Sequence, residues 1–473
     1  MRDFGEIRAY IKLHFDDHIR KIQDLLRQPS ISAENLGIRE CAELVRQRLH
    51  DLGCGEAEIV ETHGNPVVYG EYDASAEKTL IVYMMYDTQP FTNEAWTYPP
   101  LEGRLVEIEP LGVCMIGRGA FNTKGPLVAF LNALESVLAI DKNLPVNLKF
   151  VIEGEEELGS QHLPQFIEKY EHSLRDADAV FFPYASQDAK GKVKIHLGVK
   201  GIVYFELECS GRAWGRGPTQ FDVHGSNKAW VDSPSWRLVH ALSTLTSIDG
   251  NHVLIDDFYN NVAPPTKEDL ELVEKLASSF DEETIKETEK IYRFIDDARG
   301  RDLLLRYLYS TTLNIDGIWA GYTGSGMKTV LPHKATAKLD VRLVPDQRPE
   351  EIIPKIRKHL DRHGYDDIKV SPLPAQYDWS RTSAKEPIIQ ALKRTYEAMG
   401  YEPEIWPCLG GSAPFYLFSK KPLQLPFAMG GLGHGARAHS PDEYLLVRGK
   451  DKIAGLASLE ESYVRILYDF ARR

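Results

Sequence analysis

Two adjacent carboxylates follow an apolar β-like run. In EGEEELGS (153–160), Glu156 and Glu157 follow NLKFVIEG, and neighbouring acids at such a turn titrate as a coupled pair, one with a raised pKa. That arrangement suits proton transfer. A solvated acidic turn is the plainer account of any EEE run, but other chemistry-bearing segments accompany this one. Asp87 lies in VYMMYDTQP (82–90), the glycine-rich turn GRGAFNTKG spans 117–125, and His439 lies in GARAHSPDEY (435–444). In CLGGSAPF (408–415), Cys408 precedes Gly410, Gly411 and Ser412; a cysteine near a Glu–His cluster acts as an acid or nucleophile only if its pKa is lowered, and a single one is more often packing.

The elements that must position these groups follow a βαβ rhythm. Short β-rich runs (NPVVYGEY, KTLIVYMMYD, PVNLKFVIEG) are separated by amphipathic helices such as CAELVRQRLHDLG, which predicts a mostly parallel sheet with helices on both faces. The turn GRGAFNTKG opens the helix KGPLVAFLNALESVLAI at a strand-to-helix junction, where open α/β sheets place their chemistry. From Gly198 the pattern changes to two strand-helix-strand units, GIVYFELECSG with WRLVHALSTL and TAKLDVRLVP with EEIIPKIRKHLDRHG, which predict a small α+β sandwich. After Ser380 the α/β style returns. The expected domains are therefore 1–197 with 380–473, and an inserted 198–379.

Bulk properties bound the function. A chain of 473 residues with 43% hydrophobic residues fills two cores. The net charge of −13 repels a phosphate backbone, so nucleic acid is not expected as a partner. No run of about 18 apolar residues exists to span a bilayer, and the first residues read as an amphipathic helix, so no membrane association and a cytoplasmic location are expected. The five cysteines are scattered and never spaced as CxxC, which suggests neither a disulfide framework nor a thiolate zinc site.

Taken in order, the four motifs resemble those of the dinuclear-zinc exopeptidase family that includes acetylornithine deacetylase, succinyl-diaminopimelate desuccinylase, aminoacylase and carnosinase. LGVKGIVYFELECSG, SPSWRLVHAL, NIDGIWAGYTG and TVLPHKATAKLDVRLVP extend the likeness to that family's lid domain, so it covers essentially the whole chain. The resemblance implies a zinc-exopeptidase-like mixed sheet flanked by helices, a ferredoxin-like lid that pairs two subunits, and a small amino acid derivative as ligand. The homodimer contact it implies is the helix WRLVHALSTL with the flanking strand edge. It makes Glu156 the general base, Glu157 and His439 metal ligands, and Asp87 a supporting acid behind them. It also implies that His224 reaches the active site of the partner subunit, that Arg342 holds a substrate carboxylate, and that the 408–415 loop receives the same group. Relatives often carry a charged pair where Cys408 and Leu409 stand here.

The family's other zinc ligands are replaced. The HxD histidine is Met85, the bridging aspartate is Asn122, and the further acid falls at Pro183 or Tyr184. Catalytic zinc needs about three imidazole, carboxylate or thiolate ligands per ion. A thioether suits copper(I), a neutral amide bridges two cations poorly, and a phenol ligates only as phenolate. Neutral groups at former acid positions are what the departure of cations would leave, because unpaired buried acids are costly. No cofactor is expected; at most one divalent ion such as zinc is held weakly by Glu157 and His439, with Asp87 the only other donor at hand. Lys124 in NTKG is either a cation that partly replaces the lost metal charge or, the plainer expectation, a helix-surface lysine, and His434 is expected to be a loop residue. Met85, Asn122 and Tyr184 then line a ligand pocket. Three readings follow: an amidohydrolase acting on a small N-acyl or peptide-like substrate without the usual zinc pair, a metal-free epimerase, isomerase or lyase, and a silent binding protein.

Overall fold

In a computed structural model that describes residues 3–472, the chain divides into two compact units. The first comprises the chain up to Leu197, Arg381–Pro407 and Leu417 to the end; the second comprises Gly198–Ser380 and Cys408–Tyr416. The sequence had assigned 408–416 to the first unit along with the rest of 380–473. The segment joins the second because its backbone bonds there: Leu409 N donates to Gly198 O (2.8 Å) and Lys200 N to Gly411 O (3.0 Å).

The first unit is built on a six-stranded mixed sheet, ordered Glu56–Val60, Val67–Tyr72, Asn147–Glu153, Thr79–Met85, Ala179–Pro183, Phe427–Gly430. The last four run parallel and the first two are antiparallel additions at one edge. Leu80–Met85 are all buried, as continuous apolar runs in parallel strands require. Helix Lys124–Asp141 is buried almost all round, which matches its lack of a polar face. The ends of the parallel strands deliver Asp87, Glu155–Glu157 and Tyr184 to one edge of the sheet, where open α/β sheets bind ligands. A smaller antiparallel sheet pairs Tyr444 with Ile116, which draws the loop after Ile116 and the loop before Tyr444 together. Gly125 closes the first of these loops: its N donates to Ala120's neighbour Gly119 at the carbonyl (3.0 Å), and a Cβ on it would lie 1.8 Å from Ala120 O.

The second unit carries a four-stranded antiparallel sheet, ordered Thr312–Ala320, Lys334–Leu343, Gly201–Ser210, Lys369–Tyr377. Strand Gly201–Ser210 alternates buried and half-buried positions along its whole length. Its inward residues Val203, Phe205, Leu207 and Cys209 pack with Ala337, Leu339 and Val341 and with residues of helices Pro234–Leu245 and Pro349–Arg362. Among the described residues no helix is long and apolar enough to cross a membrane.

Candidate active site

Glu157 is the hub of the first unit's cleft. Its Oε1 accepts the Asn122 amide (2.9 Å), and its Oε2 accepts the Gln89 amide (2.9 Å) and lies 3.1 Å from His439 Nε2. The hydrogen bond to Glu157 raises the His439 pKa against the effect of burial, and the Glu157 charge adds to it. Asn122 Nδ2 also approaches His439 Nε2, at 3.2 Å.

Asp87 lies behind this pair and is buried. It accepts the backbone N–H of Glu156 (3.2 Å) and of Glu157 (3.0 Å), and so fixes the turn that presents both glutamates. Burial, then the charge of Glu157, pushes its pKa up to about 7. Glu156 bonds no other described residue through its carboxyl. Burial first, then the charge of Glu157, raises its pKa well above the ordinary carboxylate value.

The loops bearing Asn122 and His439 are clasped by Glu443 and Arg118, which the sequence reading did not single out. The buried Glu443 carboxylate accepts the N–H of Gly119 (3.0 Å), Phe121 (3.0 Å) and Asn122 (2.8 Å), and lies 3.2 Å from Arg118 Nη1. Arg118 also donates to Glu94 (2.7 Å) and stacks on Trp96, 5.0 Å from the ring centre. His439 itself sits in the left-handed region at φ 59°, as do Arg437 and Asp442; Asp442 is tied down by Thr97 N (2.9 Å) and Oγ1 (2.7 Å). Non-glycine residues persist there only when their surroundings dictate it, often at functional loops.

Tyr184 packs its ring on Phe121, with centroids 5.0 Å apart, and burial raises its phenol pKa so that it stays neutral. Met85 is buried at the end of its strand. Lys124 corrects an expectation: it is fully buried, not on a helix surface, and its ammonium donates to the Gln28 carbonyl. His434 is also buried, between Gln187 O (2.9 Å) and Tyr444 Oη (3.1 Å).

The remaining sequence candidates lie in the second unit. Arg342 Nη1 donates to Ser412 Oγ (3.0 Å), Gly410 N donates to Tyr307 Oη (3.3 Å), and the half-buried Cys408 thiol donates to Leu308 O (3.5 Å). Gly411 bonds Lys200, whose ammonium donates to Ser310 O (2.8 Å). His224 is exposed, 2.8 Å from Ser226 Oγ and 3.2 Å from Thr329 Oγ1.

The first unit's donor set fits a pair of divalent ions poorly. Met85 and Asn122 offer a thioether and an amide, Tyr184 a protonated phenol, and both oxygens of Glu157 already accept organic donors. Among the described residues no three His, Cys, Asp or Glu side chains converge as metal ligands would.

The sequence model described as Peptidase family M20/M25/M40 matches residues 81–465. The chain is 25% identical to mouse Beta-Ala-His dipeptidase over 421 residues, covering 84% of this chain and 82% of the relative. It is 28% identical over 366 residues to the Cys-Gly metallodipeptidase dug1 of Schizosaccharomyces pombe, covering 73% of each. Among solved structures it resembles an M20 family metallo-carboxypeptidase from Sulfolobus solfataricus, with a TM-score of 0.83, 33% identity, and coverage of 96% of this chain and 98% of that one.

Proposed function

Because the chain belongs to peptidase family M20/M25/M40 and is a hydrolase-family enzyme of the C–N bond-cleaving class, we propose that it acts on a small peptide-like or N-acyl amino acid derivative without a dinuclear zinc site. One observation carries this reading: both oxygens of Glu157 are engaged by neighbouring side chains, Oε1 by the Asn122 amide and Oε2 by the Gln89 amide and the His439 ring. Glu156, whose carboxyl bonds no other described residue and whose pKa burial raises, takes a proton from the attacking water and passes it to the leaving nitrogen, while His439 and Glu157 orient the carbonyl and the water. In the second unit, Arg342 with Ser412 is suited to bind a carboxylate.

The same groups favour a second reading, proton transfer at a carbon next to a carbonyl. That chemistry needs a positioned acid and base and no Lewis acid, and Glu156, its pKa raised by burial, beside Glu157 and His439 offers such a set. Incubation with dipeptides and N-acyl amino acids of either hand, followed by chiral chromatography, separates release of an amine from loss of stereochemistry. Whichever activity appears is expected to fall by about 10²–10⁴ in Glu156→Gln and to survive chelation. Turnover that vanishes with chelator and returns only with two zinc equivalents would refute the metal-free reading.

A homodimer belongs to the same proposal. Trp236 and Val239 on helix Pro234–Leu245 and Ile315 and Ile318 on the edge strand Thr312–Ala320 are exposed large apolar residues on one unit, the kind of surface that a second copy covers.

A further inference from the structure

Arg342 is held by one acid and one hydroxyl. Its Nε donates to Asp340 Oδ1 (2.9 Å) and its Nη1 to Ser412 Oγ (3.0 Å). Asp340 is buried, 5% exposed, on strand Lys334–Leu343. Directly across from it stands Asn314, whose amide nitrogen spans two carboxylates, 3.3 Å from Asp340 Oδ2 and 2.9 Å from Asp316 Oδ1. The pairing of strand Thr312–Ala320 slips between Ile315 and Gly317, so Asp316 sits opposite no residue of its neighbour; such a bulge re-aims a side chain. Two acids and one arginine thus share a single polar cluster on the sheet face away from the apolar core.

We propose that Asp340 and Asp316, joined through Asn314, are positioning residues for Arg342, and that a proton taken up by this pair strengthens the hold of Arg342 on an anionic ligand. The inference rests on the reading of Arg342 as the carboxylate-binding residue. With Asp316 ionised, its charge opposes the pull of Arg342 on an incoming carboxylate; with Asp316 protonated, the guanidinium pulls on the ligand against one negative charge fewer. Burial and the Asp340 charge push Asp316 up to about 6, while Arg342 pulls the other way. The other groups facing the pair are Tyr204, opposite Asp340 on strand Gly201–Ser210, then Lys338 two residues along with Glu206 across from it. Lys200, whose charge interacts with that of Arg342, titrates at about 8, on the other side of neutrality.

The test uses the full chain labelled with ¹⁵N-arginine, with the Arg342 Nε signal assigned from Arg342→Lys. The signal is expected to move with a midpoint near pH 6 in the parent protein and to stay flat in Asp316→Asn. N-acetylglycine, followed by calorimetry at pH 5.5 and 7.5, is expected to bind several-fold more tightly at the lower pH in the parent. In Asp316→Asn that difference shrinks, because only the cluster's contribution is removed. A flat Arg342 signal in the parent, or an unchanged titration in Asp316→Asn, overturns the positioning role. If the signal titrates as expected but Arg342→Lys binds N-acetylglycine as tightly as the parent, the ligand half of the proposal falls, and with it the carboxylate role of Arg342.

Discussion

Glu153 ends its strand almost sealed from water, 1% exposed; Tyr83 and Ser160 both donate to its Oε1 while its buried Oε2 finds no partner. Burial pushes its pKa up to about 8 from an ordinary 4.5. The folded state therefore binds this proton more tightly than the unfolded chain. The stability it contributes is fully present below the unfolded value and is lost as pH rises through about 8. Glu153→Gln keeps the shape and removes the titration, so thermal unfolding is expected to depend less on pH, with roughly 2–4 kcal/mol regained near pH 8. An unchanged slope between pH 5 and 8 would contradict this. The residues legible in the sequence, Glu156, Glu157, Asp87 and His439, were those whose motifs carry chemistry. Gln89 and Glu443 stood inside the same motifs and went unread, because nothing local says which amide a distant carboxylate will accept. Lys124 was misread although its helix is apolar on nearly every side, and that pattern alone argues for burial at its start.

At the level of elements, the site depends on two loops that have no regular structure of their own. Glu443 joins them by accepting three backbone N–H groups from one loop while sitting in the other, and the Arg118 guanidinium is buried against it. Glu443→Gln leaves Arg118 with only Glu94 to balance it. The expected loss is about 3 kcal/mol in urea unfolding, since removing one partner of a buried ion pair strands the other charge. A loss below about 1 kcal/mol would show that the clasp matters little. The parallel strands could be read from their unbroken apolar runs and the alternating strands of the second unit from their period of two. The attachment of 408–416 to the second unit could not, because it rests on backbone hydrogen bonds that leave no mark in side-chain order.

For the whole molecule, the proposed homodimer is tested at the exposed apolar helix face of the second unit. Trp236 is 59% exposed, and Trp236→Asp is expected to shift the protein from dimer to monomer in sedimentation without lowering the unfolding temperature. A parent protein that sediments as a monomer would dispose of the dimer. The change of pattern near Gly198 and its return after Ser380 mark the two units in the sequence, whereas the proposed lack of a zinc pair rests on Met85, Asn122 and Tyr184 read together. Elemental analysis of the chain purified with zinc present, then exhaustively dialysed, addresses that point most directly. With Met85, Asn122 and Tyr184 where ligands would stand, fewer than about one zinc per chain should remain; two retained ions per chain would contradict the account.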